Sequence, residues 1–284
     1  MCEMSVIIPV CDHESHVHDA IKSVLAQSFT NFEIIVAGYG AADNTLSIVR
    51  SFDDRRIHII SGNDFHDRIS ALNKGLETAS GKYIAIMQAN HIMHVNRLKV
   101  QHAFMEAEPS IDACSCCTKQ LGNQKSMETS QNPSSVPGSG GLIENPLLNF
   151  LQGNCIIYSS AMIRKMFLEK HQLQYENYPD AEDFKFWTEM AKHGGQFYVD
   201  TQQLQYYFAT DKRKNGQKQQ SIEKITHEIV VFLTEINGKN YPELPVILEN
   251  FKMLQEKEMI TQQDINRFFH HFFTVNKDQL SMRI

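Results

Sequence analysis

The chain has 284 residues, 42% of them apolar and 21% charged, the balance of an ordinary globular protein with enough length to bury a sizeable core. A formal net charge of −6 excludes a chain-wide attraction to nucleic acid or anionic lipid, so partners have to be argued locally. No apolar run approaches the roughly 20 residues needed to cross a bilayer. The start Met1-Cys2-Glu3-Met4 lacks the pattern of a secretory signal, so reduced cysteines in a cytoplasmic protein are expected.

Ser5-Val6-Ile7-Ile8-Pro9-Val10 is a β-branched run ended by a loop, as expected of a first strand buried on both faces. Val17, Ile21, Val24 and Leu25 recur at helical spacing. Residues 32–36 predict a second strand, after which Asp43 or Asn44 caps a helix carrying Leu46, Val49 and Phe52. Residues 57–60 predict a third strand. A helix with Leu72, Gly75, Leu76 and Ala79 on one stripe leads into 83–87, an apolar run that reads as a buried parallel strand. Gln88, Asn90 and His91 stand at its carboxyl end, the edge where open α/β sheets bind ligands. Strands alternating with helices argue a parallel sheet covered by helices.

Residues 96–106 predict a helix and 111–118 another strand. Cys114, Cys116 and Cys117 are taken as small apolar residues of that strand, since no second Cys or His pair follows at zinc-site spacing. Residues 121–141, rich in Gly, Ser, Asn, Gln and Pro, are expected to be a mobile loop, either a lid or acceptor-binding segment or an insertion without function. Short helices are expected at 145–151 and 161–167, around a strand at 155–158. Tyr178-Pro179-Asp180-Ala181-Glu182-Asp183 then opens a helix with Phe184, Trp187, Met190 and Ala191 on one face. Carboxylates in its first turn suit the positive end of the helix dipole, which is reason enough for their presence. Closing strands are expected at 197–199 and 204–208, and a linker at 211–220. Beyond it lie two helical stripes, Ile222, Ile225, Ile229, Phe232 and Leu233, then Ile265, Phe268, Phe269, Phe272 and Phe273. His270 and His271 beside the second stripe are metal candidates by residue type alone.

Several stretches in the right order resemble the family 2 glycosyltransferases of the GT-A fold. They are the first strand, Ser23-Val24-Leu25-Ala26-Gln27-Ser28-Phe29, Asn31-Phe32-Glu33-Ile34-Ile35-Val36, Asp43-Asn44-Thr45, and Ala71-Leu72-Asn73-Lys74-Gly75 with Ser80-Gly81-Lys82-Tyr83-Ile84-Ala85. Asn96-Arg97-Leu98 and Ala181-Glu182-Asp183 with Trp187 complete the set. The resemblance covers about 4–208 and implies an α/β GT-A domain at 1–210, a mostly parallel sheet covered by helices, with an α-helical region at 211–284. It also implies an inverting transfer, as in polysaccharide biosynthesis, from a nucleotide-diphosphate sugar to a glycan or other hydroxyl acceptor. Asp183 matches the family's catalytic base, with Glu182 beside it and Asp180 nearby. Pro9, Gly38, Tyr39, Arg68, Asn73, Gln88 and Asn90 fall on the donor-binding side.

That side departs from the family pattern. Two aspartates usually follow the second strand, and here the aligned residues are Gly38 and Tyr39. The metal-binding Asp-x-Asp becomes Gln88-Ala89-Asn90, so Mn²⁺ or Mg²⁺ would lack its usual carboxylate ligands. Three readings stay open. Fixed cations such as Arg68, Lys74, His91 or His94 face the diphosphate without a metal. Alternatively His91 and His94, with His66, recruit a softer metal. In the third, the domain is a non-catalytic relative that binds carbohydrate or a protein. Tyr39 either stacks on the nucleotide base or fills its pocket. No nucleic-acid partner is implied, and peripheral contact with the inner face of the membrane is left open.

Overall fold

The computed structural model describes residues 2–40, 42–62, 66–121, 140–208 and 216–282. The expected mobile loop, 121–141, lies outside the described residues except at its two ends, as does the first half of the expected linker. The elements in chain order are β1 (Met4–Val10), α1 (Val17–Leu25), β2 (Phe32–Gly38), α2 (Thr45–Arg50), β3 (Ile57–Ser61), α3 (Arg68–Thr78), β4 (Tyr83–Ile86) and β5 (His91–Met93). There follow α4 (Arg97–Ala107), β6 (Ala113–Leu121), β7 (Gly141–Leu142), α5 (Pro146–Phe150), β8 (Met162–Arg164), α6 (Lys165–His171), α7 (Glu182–Lys192) and β9 (Phe197–Phe208). Three helices close the chain, α8 (Gly216–Asn237), α9 (Glu243–Glu256) and α10 (Gln262–Val275).

Two compact units result. The first is Met1–Leu142, Ile156–Tyr175 and Phe197–Asp211; the second is Ile143–Cys155, Glu176–Gln196 and Lys212–Ile284. The second unit thus draws on segments well before residue 211, because α5 and α7 pack with α8 and α10.

The first unit is a nine-stranded sheet in the order β3-β2-β1-β4-β8-β6-β9-β5, with β7 paired to β9. Its first four strands are parallel. All seven residues of β1 are buried, which is why the sequence there is continuously apolar instead of alternating. Val6, Ile8 and Val10 meet Ala20, Ile21 and Val24 of α1 and Leu98 and Met105 of α4 in one apolar cluster. Gly81 is required at the entrance to β4, since a Cβ there would stand 2.5 Å from the backbone nitrogen of Ser5.

The second half of the sheet differs from the sequence expectation. Residues 162–164, expected in a helix, form β8, antiparallel to both β4 and β6. Residues 155–158, expected as a strand, run instead into the 3-10 turn Tyr158–Ser160. The two closing strands are one twelve-residue strand, β9, parallel to β6 with its register shifted beside Cys117. His91–Met93, for which no element is expected, is a strand antiparallel to β9. Such short apolar segments carry no period of their own, so their partners decided their form. Cys114, Cys116 and Cys117 are buried in β6, in keeping with the apolar reading, and the six cysteines form no disulfide.

Arg97 organises the junction of these strands. It is fully buried, and its guanidinium donates to the carbonyls of Ile86 at 3.0 Å, Ala161 at 3.2 Å and Ser159 at 3.2 Å, to Gln101 Oε1 at 3.0 Å, and to Gln205 Oε1. Burial pulls its pKa down, yet an arginine keeps its proton in a protein interior. The carbonyl dipoles of β4 and of residues 159 and 161 therefore carry the compensation.

In the second unit, Phe184, Phe186, Trp187 and Met190 of α7 are buried, and Phe150 of α5 meets Phe184 edge-on at 5.7 Å. Ile225, Ile229 and Leu233 of α8 and Ile265, Phe269 and Phe273 of α10 supply the expected stripes. Lys185 lies between Glu189 and Glu228, 2.7 Å from each. Tyr178 donates to Glu228 at 2.5 Å and Ser221 to the carbonyl of Pro179 at 3.0 Å, so α8 fixes the segment that enters α7. Among the described residues no helix is long and apolar enough to cross a membrane.

Candidate functional site

Parallel pairing brings the carboxyl ends of β1, β2 and β4 to one edge. Val10 is level with Gly38 and Ile7 with Ile86; Gln88 follows two residues after Ile86, as the buried Pro9 follows two after Ile7. Tyr39, half-buried, donates its backbone N–H to Val10 O at 3.1 Å. A Cβ at Gly38 would lie 2.9 Å from Leu46 Cδ2. Leu46 therefore occupies the ground that an aspartate side chain at 38 would need. The carboxylates that do stand in the neighbouring loops serve the main chain: Asp12 accepts from Ala42 N–H at 2.9 Å, and Asp43 from Thr45 and Glu14 N–H at 2.8 and 3.0 Å.

The turn Gln88–His91 is closed by a bond from His91 N–H to Gln88 O at 3.1 Å. Asn90 donates Nδ2 to Phe208 O at 3.1 Å, and its Oδ1 lies 2.9 Å from His91 Nδ1. Because Asn90 Oδ1 can only accept, the proton sits on Nδ1 of His91, and Nε2 accepts from Ser159 Oγ at 3.1 Å. Burial, with the charge of Arg97 as a lesser cause, pushes the imidazole down to about 3. His91 is thus a neutral structural histidine with both nitrogens engaged, and neither a cation nor a free ligand at neutral pH. Gln88 is half-buried, and among the described residues its amide makes no hydrogen bond. This donor set does not fit a hard divalent cation: no carboxylate stands at 88–91, and the amide of Asn90 is already committed.

The remaining cation candidates are dispersed. Arg68, the first residue of α3, lays its guanidinium 4.7 Å over the ring of Tyr158. Asn73 is tied to the main chain of Tyr175 by two bonds, 2.9 Å and 2.7 Å. Lys74 pairs with Glu77 at 2.8 Å. His94 Nδ1 accepts from Asn96 N–H at 3.3 Å, and His66 is exposed. Neither joins His91 in a three-ligand cluster; among the described residues such a cluster is formed by Glu3, His102 and Glu106.

In the second unit, Glu182 and Asp183 occupy the first turn of α7, both half-buried. Asn154 donates Nδ2 to Asp183 Oδ2 at 3.2 Å, which orients the carboxylate. Asp180 is exposed and holds a left-handed φ of 57° in the turn before the helix.

Sequence reasoning does not assign these roles to Arg97, Ser159 and Asn154. Arg97 and Gln101 share one helical face four residues apart, a polar pair on an otherwise apolar stripe and so a usable signal. Asn154 follows Gly153 and signals only a turn.

Comparison with known proteins bears directly on this arrangement. Residues 5–171 match the protein family described as Glycosyl transferase family 2. A glycosyltransferase of Haemophilus influenzae, itself uncharacterised, is 30% identical over 204 residues, 67% of this chain and 61% of that protein. The Escherichia coli protein WfgD, named as a UDP-Glc:α-D-GlcNAc-diphosphoundecaprenol β-1,3-glucosyltransferase, is 32% identical over 102 residues, 36% of this chain and 40% of its own. The chain thus spans about three fifths or less of the length of these curated relatives. Residues 1–349 of TarS from S. aureus, solved in complex with UDP-GlcNAc, superpose with a TM-score of 0.66 at 17% identity, over 82% of this chain and 66% of that one. At that identity the likeness shows the fold.

Proposed function

Because this chain belongs to glycosyl transferase family 2, we propose that it transfers a sugar, with inversion, from a nucleotide-diphosphate donor to a hydroxyl of a glycan or other acceptor. The observation that carries this reading is Asp183, a half-buried carboxylate oriented by Asn154 in the first turn of α7. The acceptor oxygen attacks the anomeric carbon, its proton passes to Asp183, and the bond from that carbon to the diphosphate breaks, its electron pair leaving with the nucleotide. A positioned base is worth about 10²–10⁴-fold in rate. Glu182 is the neighbouring carboxylate, with no separate step assigned to it.

On the donor side, Tyr39 offers a ring for the nucleotide base and Gln88 a neutral amide. Arg68 is the fixed cation closest in kind to what a departing diphosphate needs. With Gly38, Tyr39, Gln88 and Asn90 in place of carboxylates, the proposed donor mode does not rely on a divalent cation. The names of WfgD and of the TarS complex make uridine nucleotides the first donors to try.

A second reading, a carbohydrate- or protein-binding relative without turnover, is favoured by the internal commitment of Asn90 and His91. Thermal stability against nucleotides and nucleotide-diphosphate sugars, with and without Mn²⁺, separates the two. A donor at a hundredfold excess over its dissociation constant stabilises the fold by about 2.7 kcal/mol. A shift with one donor that is indifferent to Mn²⁺ supports the transferase as stated. A shift that needs Mn²⁺ overturns the metal-independent donor mode. No shift in a folded sample overturns the transferase itself.

A further inference from the structure

A cavity of about 440 Å³ in the second unit is lined by Leu151, Gln152, Gln263, Asn266, Arg267 and His270, a volume of small-ligand scale. None of these residues enters the chemistry above, and α10 lies beyond the residues matched to the family. Residues 263, 266, 267 and 270 recur at helical spacing, so α10 presents a polar stripe here, while Phe269 and Phe273 are buried.

Two features give the stripe a chemical preference. Asn266 is only 8% exposed, and its Oδ1 accepts from Gln262 Nε2 at 2.9 Å. Among the described residues its Nδ2 has no acceptor, so an unpaired donor borders the cavity, where a ligand oxygen would pair with it. Gln152 Nε2 lies 2.8 Å from His270 Nε2 and 3.4 Å from its Nδ1, and burial, with the nearby His271, lowers the pKa of this imidazole. Arg267 is the one cation of the lining and lies 3.6 Å from Asp264. Amide donors and acceptors therefore mix without an uncompensated charge. Hydroxyl groups, which donate and accept at once, match such a lining; a phosphate calls for unpaired cations.

We propose that this cavity binds an uncharged glycan segment through its hydroxyls. The proposal does not rest on the reaction assigned to Asp183, and its test uses neither turnover nor nucleotide. The uncharged trisaccharides cellotriose and chitotriose, and separately inorganic phosphate, are titrated into the isotope-labelled full chain, and the side-chain amide resonances of Gln152, Gln263 and Asn266 are followed by NMR. Saturable shifts with at least one trisaccharide and none with phosphate are expected. Asn266→Asp keeps the acceptor for Gln262 but removes the donor, and should weaken binding about tenfold or more; the exposed Gln263→Ala should weaken it about threefold. Absence of shifts with both trisaccharides, phosphate binding as tight as the sugar, or unchanged affinity in both variants would each overturn the proposal.

Discussion

In the turn after β4, Asn90 gives one amide atom to Phe208 and the other to His91, whose second nitrogen goes to Ser159. In the first turn of α7, Asp183 receives a bond from Asn154. Both turns end a polar stretch beside an apolar element, and both fall where the family resemblance places function. Their difference is one of charge. Amides can be satisfied inside the fold at little cost, and once satisfied they hold a turn rigid. A carboxylate carries a charge that suits the positive end of a helix, and it is a group that can take a proton.

The largest expected effect lies on the α7 side. Asp183→Asn should lower turnover by about 10²–10⁴-fold while nucleotide affinity, measured by titration calorimetry, changes less than about twofold if binding and chemistry separate as argued. Turnover equal to wild type would erase the contrast between the two turns.

On the β4 side the largest effect should come from beneath the turn. Arg97→Leu strands the carbonyls of Ile86, Ala161 and Ser159 and the amides of Gln101 and Gln205. A loss of about 3 kcal/mol in chemical denaturation is expected. A loss under about 1 kcal/mol would mean that these strands hold together without the guanidinium.

Asn154→Ala sharpens the comparison from the α7 side. It should lower turnover by about tenfold, the worth of one hydrogen bond to a charged group. Turnover within about twofold of wild type would count against Asn154 as the residue that positions Asp183.

The last effect is a slope. His91 is held at about 3 in the folded chain, against roughly 6.5 when unfolded. Above pH 6.5 both states are neutral and the full stability is present. As pH falls below that value the unfolded chain binds the proton first, so stability declines until the folded pKa is reached. The decline is at most about 1.4 kcal/mol per pH unit. His91→Gln, which can keep both hydrogen bonds without titrating, should flatten stability between pH 6.5 and 4.5. Parallel curves for the two proteins would show that His91 is not the neutral, sealed residue described here.

Much of this architecture is legible in the amino-acid sequence. The strands β1 to β4 and the helices between them follow the expected spans within a few residues, because each is long, continuously apolar or strongly periodic. The first turn of α7 is legible as well, since Glu182 and Asp183 precede a clear stripe of Phe184, Trp187 and Met190. At the donor edge the loss of the family's aspartates is visible in Gly38, Tyr39, Gln88 and Asn90. What replaces them is not, for Leu46 reaches position 38 only through the packing of α2.

The sequence by itself determined the parallel half of the sheet, the helical stripes and the carboxylates of α7, because periodicity and burial act over neighbouring residues. Only the tertiary structure decided that 162–164 is a strand, that 197–208 is one strand instead of two, and that His91 is neutral. Those outcomes depend on partners tens of residues away, Tyr83 and Ala113 for β8, Cys116 and Cys117 for β9, and Ser159 for His91. A short segment has no local signal strong enough to choose its pairing, and a histidine's protonation is set by the groups that enclose it.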